Sequence, residues 1–276
     1  MTGLPPVPLE VLTSFAVGFL TGVYGALFGF GGGFIFVPYF YLALNMPIHM
    51  AIGSSLASII FLTSSAVVSY GFFQRRIDLK LALLLMVAAA PSAFLGAWLT
   101  RYVDPYLLRI FFSALLAYAG VNMALELKFE GGRRRLLSFP TLWRRTIIDE
   151  QGVNFRYEVN PLLAVLGGAG AGFISGLAGV GGGLVNMPLM CLVLGVPIHV
   201  AVATSELATL INVVSGSMGH FLAGNIDFYR VVVVGSGALL GAYVGTKVCV
   251  RMKPRILRRA LGLVLLLITV RMIFWG

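Results

Sequence analysis

The chain has 276 residues, 59% of them hydrophobic and 11% charged. Soluble domains run near a quarter charged, so a soluble enzyme, a disulfide-stapled secreted module and a disordered chain are all excluded. Lys and Arg number 20 against 10 Asp and Glu, but the basic residues stand between apolar runs, at Arg75–Arg76, Arg133–Arg135, Arg144–Arg145 and Arg251–Arg259. That is the positive bias of cytoplasmic loops, not a nucleic-acid-binding face.

Read in chain order, the first half offers apolar segments at about 9–29, 34–45, 48–73, 79–100 and 105–127. A crossing needs roughly 20 apolar residues. The second segment has too few, so it reads as a half-helix or re-entrant arm, tolerated at membrane depth only where protein or a wet cavity surrounds it. Residues 128–160 are polar and read as a cytoplasmic linker. Within it, Leu136 to Trp143 mixed with arginines suggest a short interfacial helix, and Thr146 to Glu158 suggest a small hairpin. The second half repeats the plan at about 161–179, 184–195, 198–223, 229–250 and 255–275. The organisation is therefore a first transmembrane repeat over 1–127, the linker over 128–160 and a second transmembrane repeat over 161–276.

The repeat is visible residue by residue. Gly29-Phe-Gly-Gly-Gly-Phe-Ile-Phe-Val-Pro38 returns as Gly179-Val-Gly-Gly-Gly-Leu-Val-Asn-Met-Pro188, and Met46-Pro-Ile-His-Met-Ala-Ile-Gly-Ser-Ser55 returns as Val196-Pro-Ile-His-Val-Ala-Val-Ala-Thr-Ser205. Both pairs are offset by 150 residues (179 − 29 and 196 − 46). The basic loops fall on one side only if the halves insert in opposite senses. The expectation is an all-α, multi-pass protein of the plasma (inner) membrane, built from two inverted-topology repeats with short half-helices broken at glycine triplets. Both termini would lie outside. Inverted repeats with broken helices near the midplane are a recurring plan of secondary transporters.

Four groups of residues carry candidate chemistry. Gly31, Gly32 and Gly33, with Gly181, Gly182 and Gly183, interrupt apolar runs. There the backbone can turn its N–H groups toward an anion at a helix start, or simply let helices pack closely. Ser54 and Ser55, matched by Thr204 and Ser205, lie two turns into the third segments, and Ser205, Thr209 and Asn212 form a stripe at i, i+4 and i+7. These hydroxyls can bind a substrate or join helices. Glu206 is a carboxylate within an apolar span, a functional candidate by default, able to carry a proton or to pair with Lys247. Its repeat counterpart is Leu56, and Asn186 likewise stands opposite Phe36. His49 and His199 lie near the aqueous edge, where capping or interfacial packing outranks ligation; with Glu206 and Lys247 they are the coupling or gating candidates. Cys191 and Cys249 have no metal-ligand or disulfide spacing, and the sequence calls for no metal and no cofactor.

The duplicated Gly-x-Gly-Gly-Gly…Pro, followed by Pro-x-His-x-Ala-x-x-(Ser/Thr)-Ser, resembles the sulfite exporter TauE/SafE family, also called the toluenesulfonate uptake permeases. The resemblance covers both halves. It implies secondary transport of small sulfur-containing anions such as sulfite, sulfoacetate or other organosulfonates. The family motif lands on Gly29, Gly31 to Gly33 and Ser54–Ser55, then on Gly179, Gly181 to Gly183 and Thr204–Ser205. The expected function is alternating access around a midplane site formed by both repeats. A membrane scaffold or assembly factor and an anion channel stand as alternatives. No catalytic motif argues for an enzyme. The expected partners are a small anion, the bilayer, and protons or another coupling ion; no nucleic acid is expected, and a homodimer stays open.

Overall fold

A computed structural model describes residues 8–104 and 142–249, with isolated positions within 106–121 and 266–270. The fifth apolar segment of each half and the interfacial helix expected at 136–143 fall largely outside the described residues. Trp143 itself opens a β-strand.

Among the described residues, six helices are long and apolar enough to cross a membrane. In the first half they are α1 (Pro8–Phe28), α3 (Ile48–Val68) and α4 (Leu79–Thr100). In the second half they are α5 (Pro161–Ala178), α7 (Ile198–Leu222) and α8 (Phe228–Cys249). Between them lie two six-residue helices, α2 (Gly33–Pro38) and α6 (Gly183–Pro188). Each short helix ends on a proline, whose missing N–H and bulky ring disfavour the α-helical register. The chain continues instead as a π-helical turn, Tyr39–Ala43 or Leu189–Val193. The Leu44 N–H then bonds to Tyr39 O and the Leu194 N–H to Leu189 O, both five residues back. The short arms expected from the sequence are thus broken helices of about three turns.

Helix starts follow from their capping residues. The Asp78 carboxylate accepts from the Lys80 and Leu81 N–H groups, both at 3.0 Å, and so begins α4. Asn160 does the same for α5, with Pro161 in the first helical position.

Two helix pairs pack backbone to backbone through glycines. On α5, Gly168, Gly172 and Gly176 face the backbone of Leu85, Ala89 and Ala93 on α4, leaving no room for a Cβ. On α8, Gly237, Gly241 and Gly245 face Phe15, Phe19 and Val23 of α1 in the same way. Spacing of four residues places such glycines on one helix face, the usual device for close approach in membranes. Each pair joins one helix from each half. α3 and α7 pack against each other between the pairs, and the outward faces carry Leu83, Val87, Leu166, Val232 and Leu239, all exposed.

The linker contains a hairpin, β1 (Trp143–Ile148) and β2 (Asn154–Val159), paired antiparallel from Trp143↔Val159 to Ile148↔Asn154. It is wider than the sequence suggests, and it is fastened to the helical bundle. Arg145 clasps Asp78 with Nε at 2.8 Å and a terminal nitrogen at 2.6 Å, and the Tyr157 hydroxyl donates to the same carboxylate at 2.6 Å. Arg76 reaches Asp149 at 3.0 Å. Burial alone would raise the Asp78 carboxyl, but hydrogen bonds from Arg145, Tyr157 and the Leu81 N–H outweigh it and hold it below the usual carboxylate value. Burial and the same carboxylate push the Tyr157 phenol well up.

Candidate functional site

The two glycine breaks meet at the centre of the bundle. Gly29, Gly31 and Gly32 have φ of 70°, 75° and 82°, and Gly179, Gly181 and Gly182 have 73°, 79° and 83°. That left-handed backbone is open to glycine and strained for other residues, and it turns each chain back on itself. Each short helix then starts against the opposite break. A Cβ at Gly33 would collide with Gly179 O and Val180, and one at Gly183 with Gly29 O and Phe30.

The serines and threonine of the duplicated motif hold this crossing in place. Ser55 Oγ donates to Gly179 O at 2.8 Å, and Ser205 Oγ donates to Gly29 O at 2.7 Å. Ser54 Oγ accepts the Asp227 N–H and Thr204 Oγ1 accepts the Asp78 N–H, both at 3.0 Å. All four hydroxyls are fully buried, and each bonds to the other half of the chain.

The polar groups left over lie next to them. Both oxygens of Glu206, both side-chain polar atoms of Asn186 and of Asn212, and the hydroxyls of Thr209, Ser175 and Thr21 have no hydrogen-bond partner in the protein. All six residues are fully buried. Their neighbours locate them at the breaks. A Cβ at Gly31 would lie 2.8 Å from the Thr209 methyl, and one at Gly181 would lie 3.0 Å from it, so Thr209 sits between the two breaks. A Cβ at Gly182 would lie 2.8 Å from Asn212 Nδ2 and 3.4 Å from Ser175 Cβ. One at Gly32 would lie 2.6 Å from the Thr21 methyl. The Gly31 N–H faces the Glu206 carboxyl without hydrogen-bond geometry. Native proteins satisfy nearly all buried polar groups, so a cluster of this kind marks a place built for something else.

The site is lopsided. One repeat earlier, Glu206, Thr209, Asn212 and Asn186 correspond to Leu56, Ile59, Leu62 and Phe36. The second half supplies the polar wall and the first half an apolar one, apart from Thr21. The sequence stripe of Ser205, Thr209 and Asn212 is therefore offset by one residue from the unpartnered set, which is Glu206, Thr209 and Asn212. Thr21 and Ser175 belong beside them; each is a hydroxyl among apolar neighbours with no motif to mark it in the sequence.

The remaining candidates stand elsewhere. Lys247 does not pair with Glu206; its Nζ lies 4.2 Å from the Tyr243 ring centroid, near the end of α8. His49 Nε2 lies 3.0 Å from Thr100 O and 3.3 Å from Val103 O, tying the start of α3 to the end of α4. His199 is half-buried at the opposite end of the bundle, near Arg76 and Asp149. His220, not flagged by the sequence, is fully buried with Nε2 at 3.0 Å from Gly176 O.

Comparison with known proteins agrees with this architecture. The profile of the sulfite exporter TauE/SafE family matches residues 14–272. The probable membrane transporter protein YunE of Bacillus subtilis is 26% identical over 267 residues, 94% of this chain and 96% of that protein. The probable membrane transporter protein YdhB of the same organism is 28% identical over 257 residues, covering 92% and 95%. A probable membrane transporter protein of Methanocaldococcus jannaschii is 24% identical, covering 90% of each chain. No solved structure matches the chain. With six helices of spanning length among the described residues, a duplicated glycine break and a family match over nearly its whole length, this multi-pass membrane protein belongs to the sulfite exporter TauE/SafE family of membrane transporters.

Proposed function

We propose that the chain is a secondary transporter of small sulfur-containing anions, sulfite or an organosulfonate, with its binding site at the crossing of the two glycine breaks. One observation carries the reading: fully buried polar side chains without partners gather where two helices begin. The first amides of a helix have no acceptor within it. Oxyanions suit such donors, because charge-assisted hydrogen bonds to N–H groups are strong. Thr209, Asn212, Asn186, Ser175 and Thr21 would supplement the backbone donors, while Ser54, Ser55, Thr204 and Ser205 hold the breaks in register.

All six unpartnered side chains are fully buried, so a solute reaches them only after the helices rearrange, which favours alternating access. Reciprocal bonds between Ser55 and Gly179 and between Ser205 and Gly29 support an inverted-topology repeat. The α3–α4 turn, the hairpin and the end of α8 gather Arg75, Arg76, Lys80, Arg144, Arg145, Arg156 and Lys247 at one end, which we assign to the cytoplasm.

The test is thermal stabilisation of the detergent-purified protein across a panel of anions. A ligand that binds the folded state raises stability by RT ln(1 + [L]/Kd), about 2.7 kcal/mol at 100 Kd. A shift selective for sulfite or a sulfonate over chloride and sulfate is expected. A flat panel would remove the reading and favour a scaffold role.

A further inference from the structure

The buried carboxylate of Glu206 stands apart from the other unpartnered groups because it can change charge. Its side chain is fully buried in the middle of α7, and neither oxygen has a hydrogen-bond partner. Among the described residues, no cation compensates its charge. Among those same residues, the ionisable groups that feel its charge are the Tyr70 hydroxyl, from the π-helical turn after α3, and the Cys249 thiol at the end of α8. Tyr70 is committed to Ala26 O at 2.7 Å and Cys249 to Leu27 O at 3.5 Å. Among the described residues, no Lys, Arg or His on α1, α3, α4, α5, α6 or α8 makes an ion pair with Glu206. One donor does face the carboxyl, the Gly31 N–H, and Gly31 belongs to the break assigned above to the anion.

We propose that Glu206 and the transported anion compete for one site, so that the anion binds only when Glu206 is protonated and each anion is carried with one proton. This inference rests on the anion-transport reading. Two negative charges sharing one buried site, shielded from water and salt, repel each other with little screening. An ionised Glu206 therefore acts as an internal anion, drawn to the donors of the break. Protonation removes its charge and leaves those donors to the substrate. The proton comes from the solution on the side where the anion enters: the carboxylate takes up one H⁺, becomes a carboxylic acid, and releases that H⁺ on the other side after the anion leaves. Nothing is oxidised or reduced. Transport of a monoanion with one proton moves no net charge. The second half alone carries this group, since Leu56 occupies the equivalent position, which gives one coupling proton per cycle.

The test uses the full chain in detergent and two sulfonates, toluenesulfonate and methanesulfonate, whose charge is fixed from pH 5.5 to 9. Binding to the native protein is expected to weaken as pH rises, approaching tenfold per unit once the carboxyl titrates. Binding in weakly buffered solution is expected to withdraw close to one proton per anion bound. Glu206→Gln is expected to bind with an affinity that does not vary over the same range and to withdraw no proton. Anion binding by the native protein without pH dependence or proton uptake would overturn the coupling and leave the anion site standing. A variant that keeps the native pH slope would move the coupling off Glu206. No sulfonate or sulfite binding at any pH would overturn the anion reading, and the coupling with it. The proton-uptake measurement on the native protein decides the matter even if the variant fails to fold.

Discussion

Ser205 donates its hydroxyl to the carbonyl of Gly29, 2.7 Å away across the interface between halves, and the bond has a twin 150 residues earlier, from Ser55 to Gly179. Gly29 and Gly179 lie at left-handed breaks, where the helical hydrogen-bond ladder stops and a carbonyl needs a donor from outside it. Ser205→Ala or Ser55→Ala is expected to leave a fully buried carbonyl without that bond and lower stability by about 1–3 kcal/mol. Thermal unfolding in detergent measures it. The double variant should lose roughly the sum if the two bonds act independently. A change within a few tenths of a kcal/mol would show the hydroxyls to be idle.

Gly182 offers a sharper separation of backbone strain from site geometry. Its φ is 83°, and a Cβ there would press on Asn212 Nδ2 at 2.8 Å. Gly152, in the hairpin turn, has φ of 78° with nothing within 4 Å of an added Cβ. Placing alanine at either position imposes left-handed strain of about 1–2 kcal/mol, yet only Gly182→Ala displaces a side chain of the site. Gly182→Ala is expected to weaken anion binding at least tenfold while Gly152→Ala leaves it unchanged. Equal affinities in the two variants would detach Asn212 from substrate recognition.

The repeat, the breaks and the six spanning segments among the described residues are legible in the sequence because each is a local pattern: apolar runs of spanning length, glycine triplets, a proline before a hydroxyl pair. What the sequence hides is which hydroxyls are already used. Ser205 and Thr209 are one turn apart on α7 and look equivalent as text. Ser205 finds the Gly29 carbonyl, and Thr209 lies between Gly31 and Gly181 with its hydroxyl unpartnered. That difference depends on where the other half crosses, about 180 residues away in the chain. The hairpin's role is hidden for the same reason. Read alone it is a small hairpin in a polar linker; its arginine and tyrosine acquire a role only when Asp78 is brought to them.

Asp78 makes the hairpin's attachment dependent on pH. Its folded-state titration lies below the ordinary carboxylate value because Arg145, Tyr157 and the Leu81 N–H stabilise the ionised form. A carboxyl lowered on folding contributes stability that is fully present above its unfolded value and is lost as pH falls through its folded one. The protein is therefore expected to lose stability in acid, below about pH 4, as Asp78 protonates. Arg145→Ala leaves a fully buried carboxylate without its cation, at a cost of roughly 3 kcal/mol at neutral pH, and flattens the acid limb of the stability curve. Protease nicking of the hairpin should report the same change. An unaltered acid limb in the variant would assign the dependence to other carboxylates, with Asp149 the next to examine.

The glycine seams constrain how the molecule can open. Gly172 on α5 presses on the Ala89 backbone of α4, and Gly241 on α8 presses on the Phe19 backbone of α1. Such seams resist separation, because any gap forfeits close backbone contact along three successive turns. Each seam joins a helix of one half to a helix of the other, so the packing units are not the halves into which the sequence divides. Phe61 of α3 packs on Gly235 of α8, and Gly219 of α7 packs on Ala97 of α4. On the alternating-access reading proposed above, the moving units would be α1, α3 and α8 against α4, α5 and α7, with the glycine breaks between them. Gly172→Leu and Gly241→Leu are each expected to destabilise the protein by about 1–3 kcal/mol or more. Gly170→Leu, on the same helix as Gly172 but with nothing within 4 Å of its Cβ, is expected to be neutral or slightly stabilising because leucine favours helix. Thermal unfolding of the three variants in detergent separates seam from propensity. A tolerated Gly172→Leu would mean that α4 and α5 can slide apart, and the rocking units would then have to be redrawn.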